Sequence, residues 1–176
     1  EYINLTRNNM TSFPQYMQEY RLQMQKGILP KAYKGLLEYI HSLQAHLQKK
    51  YPAYNISNNL YAGYMDMTYF SLFPPALGER KLKIAIVYLH ETGRFEAWLA
   101  AVNKDVQTHY WNLIKDSGWQ KYHLVPTTQG YDSILEHILV PTPDFSDLES
   151  LTTHIERETL LFLKDVEIFL QDNSSV

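Results

Sequence analysis

The run Leu82-Lys83-Ile84-Ala85-Ile86-Val87-Tyr88-Leu89-His90-Glu91-Thr92-Gly93-Arg94-Phe95-Glu96-Ala97-Trp98-Leu99-Ala100-Ala101-Val102 decides the fold. Two stretches of β-branched, aromatic and small apolar residues flank a short polar segment with one Gly, the pattern of a β-hairpin. Thr92-Gly93 as a two-residue turn places Glu91 opposite Arg94, Val87 opposite Trp98, Leu89 opposite Glu96 and Ala85 opposite Ala100. Thr-Gly is not a favoured hairpin dipeptide, and a longer loop would shift this register by a residue. In the predicted register Leu82, Ile84, Ile86 and Tyr88 share a face with Phe95, Ala97, Leu99 and Ala101. Both faces are largely apolar, so the hairpin is expected at the centre of a sheet, covered on both sides.

The same period of two begins at Tyr61. Tyr64, Asp66, Thr68, Phe70 and Leu72 face one way, Met65, Met67, Tyr69, Ser71 and Phe73 the other, until Pro74-Pro75 ends the strand. Tyr122 to Val125 reads as a fourth strand closed by Pro126. On the N-terminal side the period is helical. Ser12 and Gln15 form a capping box, Gly27 ends the first helix, and a second runs from Pro30 to Tyr51, making a helical hairpin. Asn103 caps a helix over 104–116, with Val106, Tyr110, Leu113 and Ile114 inward and Gly118 beyond its end. Ile134, Leu135, Ile138 and Leu139 predict a short helix over 131–140. A capping box from Ser146 to Glu149 opens the last helix, whose apolar face carries Leu148, Leu151, Ile155, Phe162, Val166 and Phe169.

The fold class is therefore α+β: an N-terminal helical hairpin and a mostly antiparallel four-stranded sheet, in the order αα-βββ-α-β-α-α, with helices packed on the sheet. All 176 residues are expected to form one domain, with residues 1–10 a loosely ordered extension. Three meandering strands, a helix and a returning strand also match the core order of restriction-endonuclease-like folds, an analogy of element order alone.

Composition narrows the chemistry. With no Cys there are no disulfides, thiolate nucleophiles, zinc–thiolate sites or iron–sulfur clusters. A net charge of −3 argues against a mainly electrostatic nucleic-acid binder. That charge is a gradient: +4 over residues 1–60, +1 over 61–130 and −8 over 131–176. The basic end is expected to lie against the acidic last helix. The longest apolar stretches, 84–89 and 97–102, fall far short of the roughly 20 residues of a spanning helix. A cytoplasmic protein without membrane contact is expected. The Gly residues are scattered singly, with no phosphate loop and no Gly-x-Ser-x-Gly elbow, and no cofactor is predicted.

Five blocks carry a resemblance: Lys26-Gly27 through Ala32-Tyr33, Gly63 to Phe70, Arg94 to Ala100, Gly118-Trp119-Gln120-Lys121-Tyr122-His123-Leu124-Val125-Pro126, and Pro143 to Leu148. Over about residues 10–171 the chain resembles a family of small bacterial proteins known only as a domain of unknown function. The resemblance implies a bacterial protein of one domain and brings no reaction, cofactor or catalytic residue.

The residues propose two readings. A magnesium nuclease of the restriction-endonuclease type needs an Asp on one strand and an acid-x-Lys pair on the next. The third strand instead offers Glu96-Ala97-Trp98, so only a migrated catalytic set of Asp66, Glu96 and Lys83 remains. Aromatics crowd residues 51–73, and Asp66 is an acid on a strand face that otherwise carries Tyr64, Thr68 and Phe70. Tyr64, Arg94 and Trp98 are the ligand-binding candidates around it. The seven His residues assemble no metal site by spacing; His154 and Glu158 are the nearest approach to one, and no metal is predicted. The preferred reading is a non-enzymatic cytoplasmic binding or protein-interaction module, with a homodimer through exposed aromatics or a sheet edge. The alternative is a hydrolase with an acid-lined site around Asp66 and Glu96.

Overall fold

The computed structural model describes residues 12–174; the extension expected over residues 1–10 lies outside them. The chain divides into two compact units, residues 1–40 and 41–176. In the first, α1 (Phe13–Lys26) starts where the capping box predicts, with Gln15 Oε1 accepting from the Ser12 amide at 3.2 Å and its hydroxyl at 3.1 Å. Gly27 ends α1 at φ 75°, a left-handed conformation that glycine adopts without a Cβ clash. The next helix, α2 (Ile28–Lys50), follows at once and begins ahead of Pro30. No residue of α1 is buried.

In the second unit come β1 (Met67–Leu72), the short α3 (Pro75–Gly78), β2 (Leu82–Leu89), β3 (Arg94–Ala101), α4 (Lys104–Ser117), β4 (His123–Leu124), β5 (Leu135–Val140) and α5 (Leu148–Asp172). The strands form one sheet in the order β1-β2-β3-β5-β4, antiparallel at every pairing. The α+β class and the antiparallel sheet agree with the sequence. The strand count is five instead of four.

The hairpin turn is longer than Thr92-Gly93. A four-residue loop, His90 to Gly93, is closed by the Gly93 amide donating to Leu89 O at 2.8 Å. Leu89 therefore stands opposite Arg94, Val87 opposite Glu96 and Ala85 opposite Trp98. Each partner moves by two residues, which preserves the alternation of faces. Leu82, Ile84, Ile86 and Tyr88 still pair with Ala101, Leu99, Ala97 and Phe95 on one face.

Where a helix is predicted over 131–140, residues 131–134 lead without helix into β5 at 135–140. Its apolar spacing imitates a helix because of a β-bulge: Val140 lies opposite Phe95 and Ile138 opposite Glu96, which leaves Leu139 as the extra residue. Leu139 and Val140 are consequently both buried, breaking the period of two. The carbonyl of Leu139 accepts from His154 Nε2 of α5 at 2.9 Å, so the bulged residue's carbonyl is satisfied. The cap of α5 also moves by one residue. Ser146 donates its amide and hydroxyl to Asp144 Oδ1 at 2.9 and 2.6 Å, and Asp147 Oδ1 caps the helix by accepting from Ser150 N at 3.1 Å.

One sheet face is the core. Phe70, Leu72, Leu82, Ile84, Ile86, Phe95, Ala97, Leu99 and Leu135 are all buried, as are Leu151, Ile155, Phe162, Leu163 and Val166 of α5, which lies across β3 and β5. Full burial of one such side chain contributes about 1.5–3 kcal/mol. Among the described residues, no helix is long and apolar enough to cross a membrane.

Part of the charge gradient is neutralised inside the second unit. Glu156 of α5 is buried and receives Lys50 Nζ at 2.5 Å, His46 Nε2 at 2.7 Å and the Tyr51 hydroxyl. Burial alone would raise the Glu156 carboxyl. The hydrogen bonds from Lys50, Tyr51 and His46 outweigh it and bring the pKa to about 2, against an ordinary 4.5. A carboxylate with a depressed pKa stabilises the fold above pH 4.5, and that contribution fades as pH falls toward 2. Glu156→Gln should cost about 1–3 kcal/mol at neutral pH, since a buried acceptor set loses its charge. Urea titrations of both proteins from pH 7 to pH 2 should show the gap constant above about pH 5 and closing below it. A gap independent of pH would remove the assignment.

Candidate functional site

The other sheet face alternates large and small side chains. Register places Met67, Tyr69 and Ser71 of β1 beside Leu89, Val87 and Ala85 of β2, and these beside Arg94, Glu96 and Trp98 of β3. Lys83 pairs with Ala100 on the same face. Where the small Ala85 and Ala100 meet, the surface sinks into a cleft of about 300 Å³. Its walls are Tyr61, Met67, Tyr69, Lys83, Trp98 and Asp132. A second covering layer was expected on this face; here the face opens into a cleft.

Two tyrosines meet at one wall. Tyr61 joins β1 by an isolated bridge to Tyr69, and their rings lie 4.9 Å apart at 33°. Lys83 Nζ lies 5.9 Å from the Tyr69 ring centroid. Among the described residues neither Lys83 nor Asp132 makes an ion pair. A long cationic side chain thus enters the cleft with an aromatic face as its neighbour.

Glu96, two residues along β3 from Trp98 of the cleft wall, is almost wholly buried. Arg94 Nε donates to its Oε2 at 3.1 Å, and Trp98 Nε1 makes a long 3.4 Å bond to its Oε1. All three sit on one strand, two residues apart, so alternation puts them on one face. The arrangement satisfies a buried carboxylate and orients the indole of Trp98. The sequence candidates Arg94, Glu96 and Trp98 are therefore brought together, and Lys83 shares the cleft with Trp98.

Asp66 and Tyr64 are elsewhere. Regular pairing begins only at Met67, and residues 61–66 fold into a tight loop with positive φ at Gly63 (74°) and Met65 (62°). Asp66 Oδ1 accepts from the Tyr64 amide at 2.8 Å. This bond, with others from the Met67 amide and its own, holds the exposed Asp66 carboxyl below the usual carboxylate range. Tyr64 is 90% exposed. Thr68 Oγ1 donates to Ala62 O at 2.7 Å and lies 2.8 Å from His90 Nε2, which pins the loop to the end of β2. The Asp66 carboxylate is turned into its own loop, and that of Glu96 is engaged by Arg94.

The histidines are placed structurally. His154 spends Nε2 on Leu139 O and accepts from Arg157 Nη2 on Nδ1 at 2.9 Å, leaving no lone pair for a metal. His137, on β5, stacks on Phe162 at 5.7 Å with Glu158 at 3.9 Å; burial lowers its pKa despite that neighbour. Among the described residues no three His, Asp or Glu side chains converge as a metal site. The sheet edges are blunted: the outer side of β1 is paired by the amides of Ser57, Tyr61 and Phe73 in bonds with Ser71, Tyr69 and Tyr54, and β4 has two residues.

Sequence reasoning missed Asp132, which lies in the segment read as a helix. It named Tyr61 and Tyr69 within the aromatic run without assigning them a wall.

The fold and this face together define an α+β chain whose antiparallel sheet keeps a small aromatic cleft on one side. A family model described as a domain of unknown function, DUF7000, matches residues 13–170, and the chain belongs to that family. No curated protein and no solved structure matches it.

Two substitutions probe the surroundings of the cleft. A Cβ on Gly63 would meet Met67 O at 2.0 Å, at a backbone φ of 74°. Gly63→Ala should therefore lower stability by more than about 1 kcal/mol in urea denaturation; an unchanged midpoint would contradict the loop geometry. Arg94→Met should cost about 3 kcal/mol or more by stranding the Glu96 carboxylate, with the Arg94→Met, Glu96→Met double variant closer to wild type. Additive costs in a double-mutant cycle would show the pair to be uncoupled.

Proposed function

We propose that this chain is a non-enzymatic binding module that takes a small ring-bearing molecule in the cleft over Ala85 and Ala100. The observation that carries the reading is Lys83, without an ion pair among the described residues, over the Tyr69 ring and in one cleft with Trp98, above a floor of two alanines. Aromatic walls with a few polar groups are the usual make-up of small-molecule sites, and about 300 Å³ is at the small end of their range. The indole of Trp98 is held by Glu96, so one wall is preorganised, which lowers the entropic cost of binding.

The acid-lined hydrolase is less well supported. General acid–base or metal-assisted hydrolysis asks for carboxylates that face a common reacting atom. Asp66 is committed to the Tyr64 amide and Glu96 to Arg94. Blunted edges likewise disfavour a dimer built by strand addition, leaving exposed aromatics as the route to any homodimer. We place the module in the cytoplasm of a bacterium, following the resemblance noted in the sequence, and assign it no cofactor, metal or nucleic-acid partner.

A thermal-shift screen of ring-bearing metabolites tests this reading. A compound at 100 times its Kd should stabilise the fold by about 2.7 kcal/mol, a shift of several degrees. Trp98→Leu should abolish that shift. Hits that persist undiminished in Trp98→Leu would place binding outside the cleft, and a screen without hits would sink the reading.

A further inference from the structure

We propose that the cleft selects a zwitterion: a planar ring carrying both an anionic and a cationic group, with an aromatic amino acid as its simplest form. The inference rests on the cleft reading above and names the ligand's chemistry.

Two opposite charges, Lys83 and Asp132, line the one cleft. Lys83 of β2 pairs with Ala100 of β3. On the other side of β3, the Ile134 amide donates to Leu99 O at 2.7 Å, which runs residues 132–134 along that strand's end. Lys83 therefore reaches the cleft from β2, and Asp132 from the segment tied to the far side of β3. Both line the same cleft.

Opposite charges on flexible side chains close into an ion pair when their tips can meet. Here no ion pair joins them, and among the described residues neither has another ionic partner. An ammonium and a carboxylate that share a cleft with a small-residue floor and do not pair match a ligand that has the same two charges in reverse. Its carboxylate would meet Lys83 and its ammonium Asp132. A ligand with one charge satisfies one wall and leaves the other charge facing it unmatched or repelled. The ring would lie among Tyr61, Tyr69 and Trp98, where faces are available for stacking.

The measurement is isothermal titration of the full chain at pH 7.5 with L-tryptophan, indole-3-acetate and tryptamine, which carry both charges, the anion alone and the cation alone. L-Tryptophan should bind at least tenfold more tightly than either of the others. Lys83→Met should lower its affinity to that of tryptamine, and Asp132→Asn to that of indole-3-acetate. Both residues are at the cleft surface, and circular dichroism and the melting temperature should stay those of wild type. Indole-3-acetate binding as tightly as L-tryptophan, with Asp132→Asn without effect, would overturn the proposal. So would tryptamine matching L-tryptophan with Lys83→Met silent. If L-tryptophan, L-tyrosine and L-phenylalanine all fail while another compound's shift is lost in Trp98→Leu, the zwitterion is wrong and the cleft stands. If no compound gives a Trp98-dependent shift, both readings fall together.

Discussion

Everything in the second unit hangs on the antiparallel pairing of β2 with β3. These strands are the inner pair on which β1 and β5 are laid, and their register decides which side chains look toward α5 and which look away. Gly93 allows a four-residue loop by taking a positive φ of 66°, and Leu89 O closes that loop. The resulting register puts every aliphatic residue of the hairpin's inner face opposite an apolar partner: Leu82 with Ala101, Ile84 with Leu99, Ile86 with Ala97. A slip of one residue would turn either Lys83 of β2 or Glu96 of β3 into the core, where an unpaired charge costs several kcal/mol. The penalty for that slip is what makes the register unique.

The parts legible in the sequence were those fixed by local chemistry or by uninterrupted periodicity. Ser12, Asn103, Gly27 and Gly118 mark helix ends because their side chains, or the lack of one, satisfy the orphan groups there. Thr68, Phe70 and Leu72 share a buried face as their alternation says. What failed was periodicity broken by an irregularity. The extra Leu139 turns an alternating strand into a doublet pattern that a helix also produces, and only the pairing with β3 distinguishes the two. Residues 61–66 alternate like a strand, yet the positive φ values at Gly63 and Met65 fold them back. Their order comes from Thr68, His90 and Asp66, contacts that no window of sequence displays.

The same distinction separates the candidate site residues. Asp66 and Glu96 look alike in sequence: single acids within apolar, aromatic strands. In three dimensions Asp66 serves backbone amides at the surface, and Glu96 is buried against a guanidinium. A carboxylate two residues from an Arg on one strand has a partner on its own face, which alternation alone suggests. Spacing could not bring Asp132 into the picture, because it shares a cleft with Lys83 and Ala100 only through the tertiary placement of the segment that Ile134 ties to β3.

The cleft follows from arithmetic of side-chain size on a pleated surface. Across the sheet, one row runs Ser71, Ala85, Trp98, Glu136 and the next Tyr69, Val87, Glu96, Ile138. Ala85 is thus surrounded by Lys83 and Val87 along its strand, Trp98 beside it and Tyr69 on the diagonal, so the smallest side chain sits at the meeting point of larger ones. A sheet face left to solvent is usually polar, and one meant for a helix is evenly apolar. This face is neither: its cleft is walled by rings, its floor is alanine, and among the described residues Lys83 and Asp132 line it without an ion pair. Packing against a helix would strand Lys83, and simple solvation would waste the burial of Ala85 and Ala100. A small ligand with a ring and charged ends meets both constraints at once.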